Sequence, residues 1–271
     1  MQNRKSSEGI KVHHWISSIL HAWKSVRSAF DEEPEWWTNY KLGQFHSVFL
    51  NDDRPRINGG ILRLLRYLQI RVFSIICQPR MVPAQAASYD LVLFAGSHNQ
   101  RVSLDPSVQG LKGSGISVLC ITSDKLSRSS PEGLWKPISR GAISECLGLL
   151  MNIIRLPVIR RELKRKNSRL FNEYIDRFLV CHAWGFFFFF LLSRIKPKLV
   201  LMSNDHNPPN RTMLTICRVL KVKTAFVEHS TGPVMSLRPA LRFDYAFLDG
   251  STEGVASGNA LRGQPALGRD D

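Results

Sequence analysis

Polar residues able to act as acids and bases follow two apolar segments in the second half of the chain. Asp205 and His206 come after the first segment, and Glu228 and His229 come directly after the second. Histidine exchanges a proton near neutral pH, and a carboxylate beside it fixes its orientation, so this combination suits general acid–base catalysis. We therefore take His229 as the first candidate for a catalytic base and Asp205 as the second, with Glu228 or Asp205 orienting His229.

A purely structural role is the competing interpretation for several of these residues. Asp and Asn at a strand-to-helix turn are caps more often than catalysts, which favours a structural role for Asp205 and Asn210. A lone loop histidine such as His98 is more often solvated than catalytic. Capping does not explain the Glu-His pair at 228–229, because no helical pattern follows it. The acid–base hypothesis therefore depends mainly on His229.

The segments around these residues have the pattern of a β–α–β unit. Residues 198–203 form a short apolar run, as in a strand buried on both faces of a parallel sheet. Residues 203–210, SNDHNPPN, end that strand and lead into a helix whose apolar residues recur at helical spacing from Met213 to Leu220. A second strand at residues 224–227 closes the unit. Sequential strands of this kind are often neighbours, which would bring the two polar clusters together.

A second unit of the same kind is predicted earlier in the chain. A strand at residues 90–95 has a polar end at 96–101, a short helix follows at 104–112, and a glycine-rich turn leads into a strand at 116–122. With a last strand at 245–248, the predicted fold is α/β, a Rossmann-like parallel sheet with helices on both faces. Ligands of such sheets bind at the carboxyl ends of the strands. The candidate substrate-binding residues at that edge are Ser97, His98, Arg101, Asn204, His206, Arg211 and Ser230.

The patterns divide the chain into three parts. Residues 1–85 form an N-terminal helical section with helices predicted at 10–30 and 60–77. Residues 86–250 form the Rossmann-like domain. Residues 251–271 are rich in Gly, Ser and Ala and are expected to be a loose tail or an interdomain linker.

Two apolar helices and a basic run connect the two β–α–β units. The first helix is predicted at 143–159 with an interruption at Pro157, and the basic run follows at 160–169. The second helix, 178–192, is shorter than the roughly 20 residues that span a bilayer, and it contains His182. We therefore predict a core helix packed on the sheet. The alternative is a peripheral contact with an anionic membrane, made by exposed phenylalanines of this helix or by the basic run.

Composition limits the partners and the compartment. The net charge of +15 favours polyanions such as phosphorylated substrates or anionic membranes, while no nucleic-acid-binding module is recognisable, so we expect no nucleic acid. The five cysteines have no metal-binding spacing, and we expect no metal. Neither a GxGxxG nor a GxxxxGK[ST] motif occurs, so no cofactor is predicted. The N-terminus lacks a signal-peptide pattern, which predicts a cytoplasmic protein, at the inner face of the membrane if it makes the peripheral contact.

Four motifs in this order carry a resemblance to a known group of enzymes. They are YDLVLFAGS, KPKLVLMSNDH, TAFVEHSTG and FDYAFLDG. Their order resembles the N-terminal, acceptor-side half of two-domain GT-B glycosyltransferases. The nearest likeness is to bacterial surface and capsular polysaccharide enzymes, which include CDP-glycerol glycerophosphotransferase-like and polysialyl- or Kdo-transferase-like proteins. Glu228-His229-Ser230 corresponds to the family's Gln-His-Gly or Trp-His-Gly, with Ser230 in the place of the glycine.

The resemblance implies a transferase that moves a nucleotide-activated sugar or polyol phosphate onto a glycan acceptor. In that family a second domain holds the nucleotide donor, and this sequence has no counterpart of it after residue 250. We therefore expect a fragment, a partner that supplies the donor-binding domain, or a protein that has lost activity. The alternative functions are a UDP-sugar 2-epimerase-like enzyme and a non-catalytic module that binds a glycan or a partner.

Overall fold

The computed structural model describes residues 2–32, 59–77, 88–111, 113–123, 134–138, 140–166, 168–203, 208–227 and 243–247. These residues form six helices and six strands. The helices are α1 (Gln2–Glu32), α2 (Gly59–Cys77), α3 (His98–Gly110), α4 (Gly141–Lys166), α5 (Ser168–Ile195) and α6 (Pro208–Val219). The strands are β1 (Leu91–Ala95), β2 (Val118–Thr122), β3 (Trp135–Pro137), β4 (Leu199–Met202), β5 (Lys223–Val227) and β6 (Tyr245–Phe247).

The described strands form one parallel sheet in the order β3-β2-β1-β4-β5-β6. This is the strand order of a doubly wound Rossmann-like fold, and the predicted fold class is confirmed. All five predicted strands are present. The sixth, β3, was not predicted, because three residues are too few to show a period and Pro137 argues against a strand. The strand order reverses between β1 and β4.

Both faces of the sheet are buried, which explains why its strands are continuous apolar runs. In β1, Leu91, Leu93 and Ala95 face a small core with α3, while Val92 and Phe94 face a larger core with α5 and α6. The other central strands alternate in the same way. Successive side chains of a strand point to opposite faces of the sheet. Because both faces are buried here, the strand must be apolar at every position, as in other parallel sheets.

Helix α5 is the centre of the larger core. Phe186, Phe187, Phe188 and Phe189 are at most 4% exposed, and the ring of Phe188 lies 5.2 Å from that of Phe94 on the sheet. On other sides the helix meets α1, α2 and α4, so it is apolar all round because it is covered all round. The prediction of a core helix is confirmed. These four phenylalanines are therefore not available for a membrane contact.

The N-terminal helices share this core. Val26 and Phe30 of α1 and Tyr67 of α2 are buried together with the residues of α5. Two glycines allow the helices to approach closely. A Cβ atom on Gly148 of α4 would lie 2.7 Å from Ala183 of α5, and one on Gly185 would lie 3.0 Å from Phe30.

Several predicted helix boundaries were wrong. Helix α3 begins at His98 instead of residue 104, so the segment read as a polar loop is its first turn. Helix α4 continues through Pro157 to Lys166 without the predicted interruption. Pro157 lies on the exposed side of α4, beside the exposed Ile153, where a backbone carbonyl that loses its donor can reach water.

Candidate functional site

The strand order places a crevice between the carboxyl ends of β1 and β4. The chain leaves β1 into α3 on one face of the sheet and leaves β4 into α6 on the other face. Doubly wound sheets bind ligands in the opening that forms where neighbouring connections diverge in this way. The segments that follow β1 and β4 carry most of the predicted substrate-binding residues, and Ser230 follows β5.

A hydrogen bond joins the end of β4 to the first turn of α3. The Ser203 hydroxyl at the end of β4 donates to the carbonyl of Gln100, with 3.2 Å between the oxygens. The side chain of Gln100 in turn accepts from the backbone N–H of Gly96 at 2.7 Å. Gln100 is therefore buried for a structural reason, as the residue that fixes the end of β1 against the first turn of α3.

Ser97, His98 and Arg101 lie at the N-terminus of α3. Ser97 is the N-cap residue, has an extended backbone, and makes no capping hydrogen bond with its side chain. The first backbone N–H groups of a helix have no partner within the helix, and together with the helix dipole they favour an anion. This end of α3 opens toward the crevice, because it directly follows the carboxyl end of β1.

Arg101 is a buried charged residue at this edge. It is 7% exposed, and its Nη2 donates to Nδ1 of His98 at 3.1 Å. Its Nε and Nη1 are buried and have no hydrogen-bond partner in the described part of the chain. Since a guanidinium only donates, Nδ1 of His98 must accept, and a neutral His98 then carries its proton on Nε2. His98 itself is exposed.

Arg101 differs from Arg71, Arg140 and Arg155 in its partner, although Arg71 Nε and Arg155 Nη1 also have no hydrogen-bond partner among the described residues. Arg71 and Arg140 both pair with Glu145, at 3.0 and 2.5 Å, and Arg155 pairs with Asp31 at 2.8 Å. Arg101 meets only an imidazole nitrogen among the described residues. A buried guanidinium without a carboxylate is costly unless an anion occupies the site in the functional state.

Arg211 occupies the equivalent place after β4. It lies in the first turn of α6 and is 5% exposed, next to Asn210, which is fully buried. The structure thus brings Arg101 and Arg211 to the carboxyl side of the sheet, each in the helix that follows a central strand. Whether Arg211 binds substrate stays a prediction.

Six of the predicted site residues lie outside the described residues. They are Asn204, Asp205, His206, Glu228, His229 and Ser230. The strands that lead to them are described: β4 and β5 are parallel neighbours, and Met202 is paired with Phe226. The condition on which the predicted convergence of these clusters depended, that their strands are adjacent, is therefore met. The roles of the six residues stay predictions.

A cavity of about 400 Å³ lies at the opposite edge of the sheet. It is lined by residues of α6, β5 and the segment before β6, including Arg218, Lys221 and Asp244. The carboxylate of Asp244 is already engaged, since it accepts from Lys223 Nζ at 2.8 Å and from the Thr224 N–H at 2.9 Å. We favour the carboxyl edge as the functional site, because Asp244, the carboxylate that lines the cavity, already accepts hydrogen bonds that join β5 to β6.

The same clamp occurs at the amino end of β1. Asp90 accepts from Lys198 at 2.8 Å and from the Ser117 hydroxyl at 2.7 Å. These hydrogen bonds, first from Lys198 and then from Ser117, hold the pKa of Asp90 well below its usual range. The clamps tie β1 to its neighbours β2 and β4, and β5 to β6, which indicates a structural role for this edge.

The helical layer contains a buried polar cluster that the sequence reading missed. Asn152 donates to the hydroxyl of Tyr67 at 2.8 Å and to the carbonyl of Leu179 at 3.0 Å, and its Oδ1 lies 2.5 Å from Nδ1 of His182. Because Oδ1 must accept, Nδ1 of His182 carries a proton. Burial, aided by Arg155, lowers the pKa of His182 to about 3, so its ring is neutral at pH 7. The available signal in the sequence was a polar residue within each apolar helix, Asn152 in α4 and His182 in α5.

No group of three or more potential metal ligands is found among the described residues. Comparisons with protein-family models, with curated proteins and with solved structures find no match to this chain.

Proposed function

We propose that this chain is a glycosyltransferase-like protein of surface polysaccharide biosynthesis that binds an anionic group of its substrate on Arg101. The donor would be a nucleotide-activated sugar or polyol phosphate, and the acceptor a glycan. The observation that carries the proposal is the buried guanidinium of Arg101, whose Nε and Nη1 have no hydrogen-bond partner among the described residues. The resemblance of the strand-end motifs to the acceptor-side half of GT-B enzymes supplies the class of reaction.

Energetics favour a ligand over a structural role for Arg101. A buried polar group that is left without a partner costs about 1–3 kcal/mol, and more when it is charged. In Arg71 and Arg155 a carboxylate offsets the cost of a donor without a partner, whereas Arg101 contacts no carboxylate among the described residues, so a ligand would offset it there. A phosphate or carboxylate has the charge and the acceptor oxygens that these donors need, and hydrogen bonds to charged partners are about twice as strong as neutral ones.

The position of Arg101 narrows the ligand to an anion at the switch point of the sheet. The N-terminus of α3 adds backbone N–H groups and the positive end of a helix dipole to the guanidinium. Exposed His98, held by Arg101, adds a further donor when its Nε2 is protonated. Phosphate esters, nucleotide diphosphates and acidic sugars share this chemistry, and all three occur in the proposed class of reaction.

The reaction itself would need a base for the acceptor hydroxyl. We propose His229 for that role, with Asp205 as the second candidate and Glu228 as an orienting residue. The adjacency of β4 and β5 supports a common location at this edge for the segments that carry them. A positioned general base contributes about 10²- to 10⁴-fold in rate. In a transferase reconstituted with a donor-binding domain, His229→Ala should lower turnover by about that factor without unfolding the protein.

Ligand binding and thermal stability of Arg101→Met test the anion site. The probes are inorganic phosphate and glycerol 3-phosphate, titrated by calorimetry at low salt. We expect Arg101→Met to lower the affinity by about 10²-fold, because each lost charged hydrogen bond is worth about 1.5–3 kcal/mol. The melting temperature of the ligand-free variant should equal or exceed that of the wild type, since an apolar side chain of similar length removes an uncompensated buried charge.

Arg218→Met is the matched control, because it removes an exposed arginine at the cavity on the other edge of the sheet. It should leave phosphate affinity within about twofold, the expected range for a surface charge outside the site. The proposal is wrong if Arg101→Met melts several degrees lower and binds the probes normally, or if Arg218→Met is the variant that loses them. Binding without turnover, in the presence of a donor-binding domain, would favour a non-catalytic binding module.

A further inference from the structure

The outer helical layer has an apolar surface of unusual extent. Of the large apolar side chains that are exposed in the described part of the chain, most belong to α2 and α4. On α2 they are Ile61, Leu62, Leu65, Ile70, Val72, Phe73 and Ile76, with exposures from 44 to 76%. On α4 they are Ile143, Leu150, Ile153, Ile154 and Val158, with exposures from 44 to 61%. We call this surface the α2–α4 face.

The two helices lie side by side, and most of these residues fall on the side of their helix away from the core. Tyr67 of α2 and Asn152 of α4 both bond to the carbonyl of Leu179 on α5, which fixes the inner side of each helix. At 100° per residue, Phe73 and Ile76 fall on the far side of α2 from Tyr67. Leu150 and Ile154 fall likewise on the far side of α4 from Asn152. Each stripe runs about 23 Å along its helix, at 1.5 Å per residue.

Such a surface requires an occupant. Soluble monomers rarely expose contiguous apolar patches larger than a few hundred Å², and larger ones mark contacts with partners or membranes. The stretch Gly141–Glu162 of α4 is long and apolar enough to cross a membrane, yet only 33% of its most apolar window is buried. The comparable stretch Phe178–Ile195 is 78% buried and serves the core. The apolar character of α4 therefore exceeds what the fold itself uses.

The charges beside the face identify the occupant. Helix α2 contains no acidic residue; of its three arginines, Arg63 and Arg71 pair with Asp176 and Glu145, and Arg66 is exposed. The C-terminal end of α4 is basic, Arg160-Arg161-Glu162-Leu163-Lys164-Arg165-Lys166. Within α4, the other acidic residue, Glu145, is buried and paired with two arginines. An apolar stripe bordered by exposed arginines such as Arg66 and Arg161 complements a bilayer whose headgroups are negative. A second copy would bring two chains of net charge +15 together, which like-charge repulsion opposes.

We propose that the α2–α4 face docks the protein on the surface of an anionic membrane. Both helices would lie in the plane of the interface with their apolar stripes among the acyl chains, and the basic end of α4 would contact the headgroups. This inference goes beyond the proposed function and does not depend on Arg101 or on catalysis. The membrane contact would be made by the α2–α4 face and not by the phenylalanines of α5.

Co-flotation with lipid vesicles tests the docking. Wild-type protein is mixed with vesicles of phosphatidylcholine alone or with about a third phosphatidylglycerol, and the bound fraction is measured at low and high salt. We expect binding to the anionic vesicles that weakens with salt. Phe73→Asp and Ile153→Asp should each lower the partition coefficient by about tenfold or more, as expected for a charge placed in the apolar face. Arg161→Gln and Arg165→Gln should each lower it by about fivefold.

Val102→Asp is the matched control, since Val102 is 52% exposed on α3, on the opposite face of the sheet. Its partition should stay within about twofold of wild type, and circular dichroism should show all variants folded. Three results would overturn the proposal. They are no wild-type binding to anionic vesicles, equal binding by Phe73→Asp, and a wild-type dimer in light scattering that Ile153→Asp dissociates while vesicle binding is unchanged.

Discussion

The contact between Gly148 and Ala183 allows the spacing of α4 and α5 to be tested by one methyl group. A Cβ at residue 148 would lie 2.7 Å from the Cα, Cβ and N atoms of Ala183. Side chains can rotate away from such a clash, but two of these three atoms are backbone, so the helices themselves must separate. That separation would also stretch the bonds from Asn152 of α4 to Leu179 and His182 of α5.

The expected cost follows from two opposing effects. Overpacking a well-packed interface costs about 1–3 kcal/mol, and we take the upper end because backbone atoms are in the way. Alanine is about 1 kcal/mol better than glycine inside a helix. The net destabilisation of Gly148→Ala is then about 2 kcal/mol, and the melting temperature should fall by about 4–8 °C. Gly148→Val should cost more, since it adds two further methyl groups.

Gly110→Ala gives the opposite sign. Gly110 also lies in a helix, at the end of α3, and a Cβ there meets nothing within 4 Å. The helix-propensity gain is then unopposed, and the melting temperature should stay level or rise by a few degrees. Thermal unfolding followed by circular dichroism measures both variants. If Gly148→Ala melts at or above the wild-type temperature, the close approach of α4 and α5 is not present in the protein.

Two further predictions concern the interior of the helical layer. Burial lowers the pKa of His182 to about 3 in the folded chain. Between about pH 6.5 and 3, His182 is therefore protonated in the unfolded chain but neutral in the folded chain. The contribution of His182 to stability is therefore full above about pH 6.5 and falls as the pH drops. Relative to His182→Gln, the wild type should lose about 3 kcal/mol of unfolding free energy between pH 7 and 4.5, measured by urea unfolding. Parallel pH profiles of the two proteins would contradict this. Phe188→Asp should abolish folding at 37 °C, because Phe188 is fully buried between Phe94 and Trp184 and an unpaired buried charge costs several kcal/mol; a folded, soluble variant would show that α5 is not a core helix.

The central sheet was predictable because its strands carry the strongest local signal. In β1, every residue from Leu91 to Ala95 is buried, so burial on two faces forces an uninterrupted apolar run. The edge strand β3, Trp135–Pro137, is three residues long and is not buried throughout, so it lacks this continuous apolar pattern. The early start of α3 was hidden for another reason. Gln100 and Arg101 are polar but buried, and a reading based on polarity assigns such residues to a loop.

The edge of the sheet that carries the candidate site and the presence of Arg101 there were predicted from the sequence, but the burial of Arg101 was not. Adjacency of sequential strands predicts the pairs β1–β2 and β4–β5, whereas the crossover that brings β4 beside β1 is seen only in the structure. A sequence does not show that the guanidinium of Arg101 is buried or that it contacts no carboxylate among the described residues. The polar helix cluster around Asn152 was missed since a single asparagine in an apolar helix gives no period to read.

The distribution of ion pairs supports the carboxyl edge of the sheet as the functional site and the amino edge as structural. Arg71, Arg140 and Arg155 each meet a carboxylate, and the carboxylates at the amino edge of the sheet each meet a lysine. Among the described residues Arg101 contacts no carboxylate, and it lies at the crevice between the carboxyl ends of β1 and β4. Local violations of this kind are expected where a protein holds a ligand, because the ligand supplies the missing partner. Phosphate binding that stabilises the wild type but not Arg101→Met would show that the missing partner is an anion.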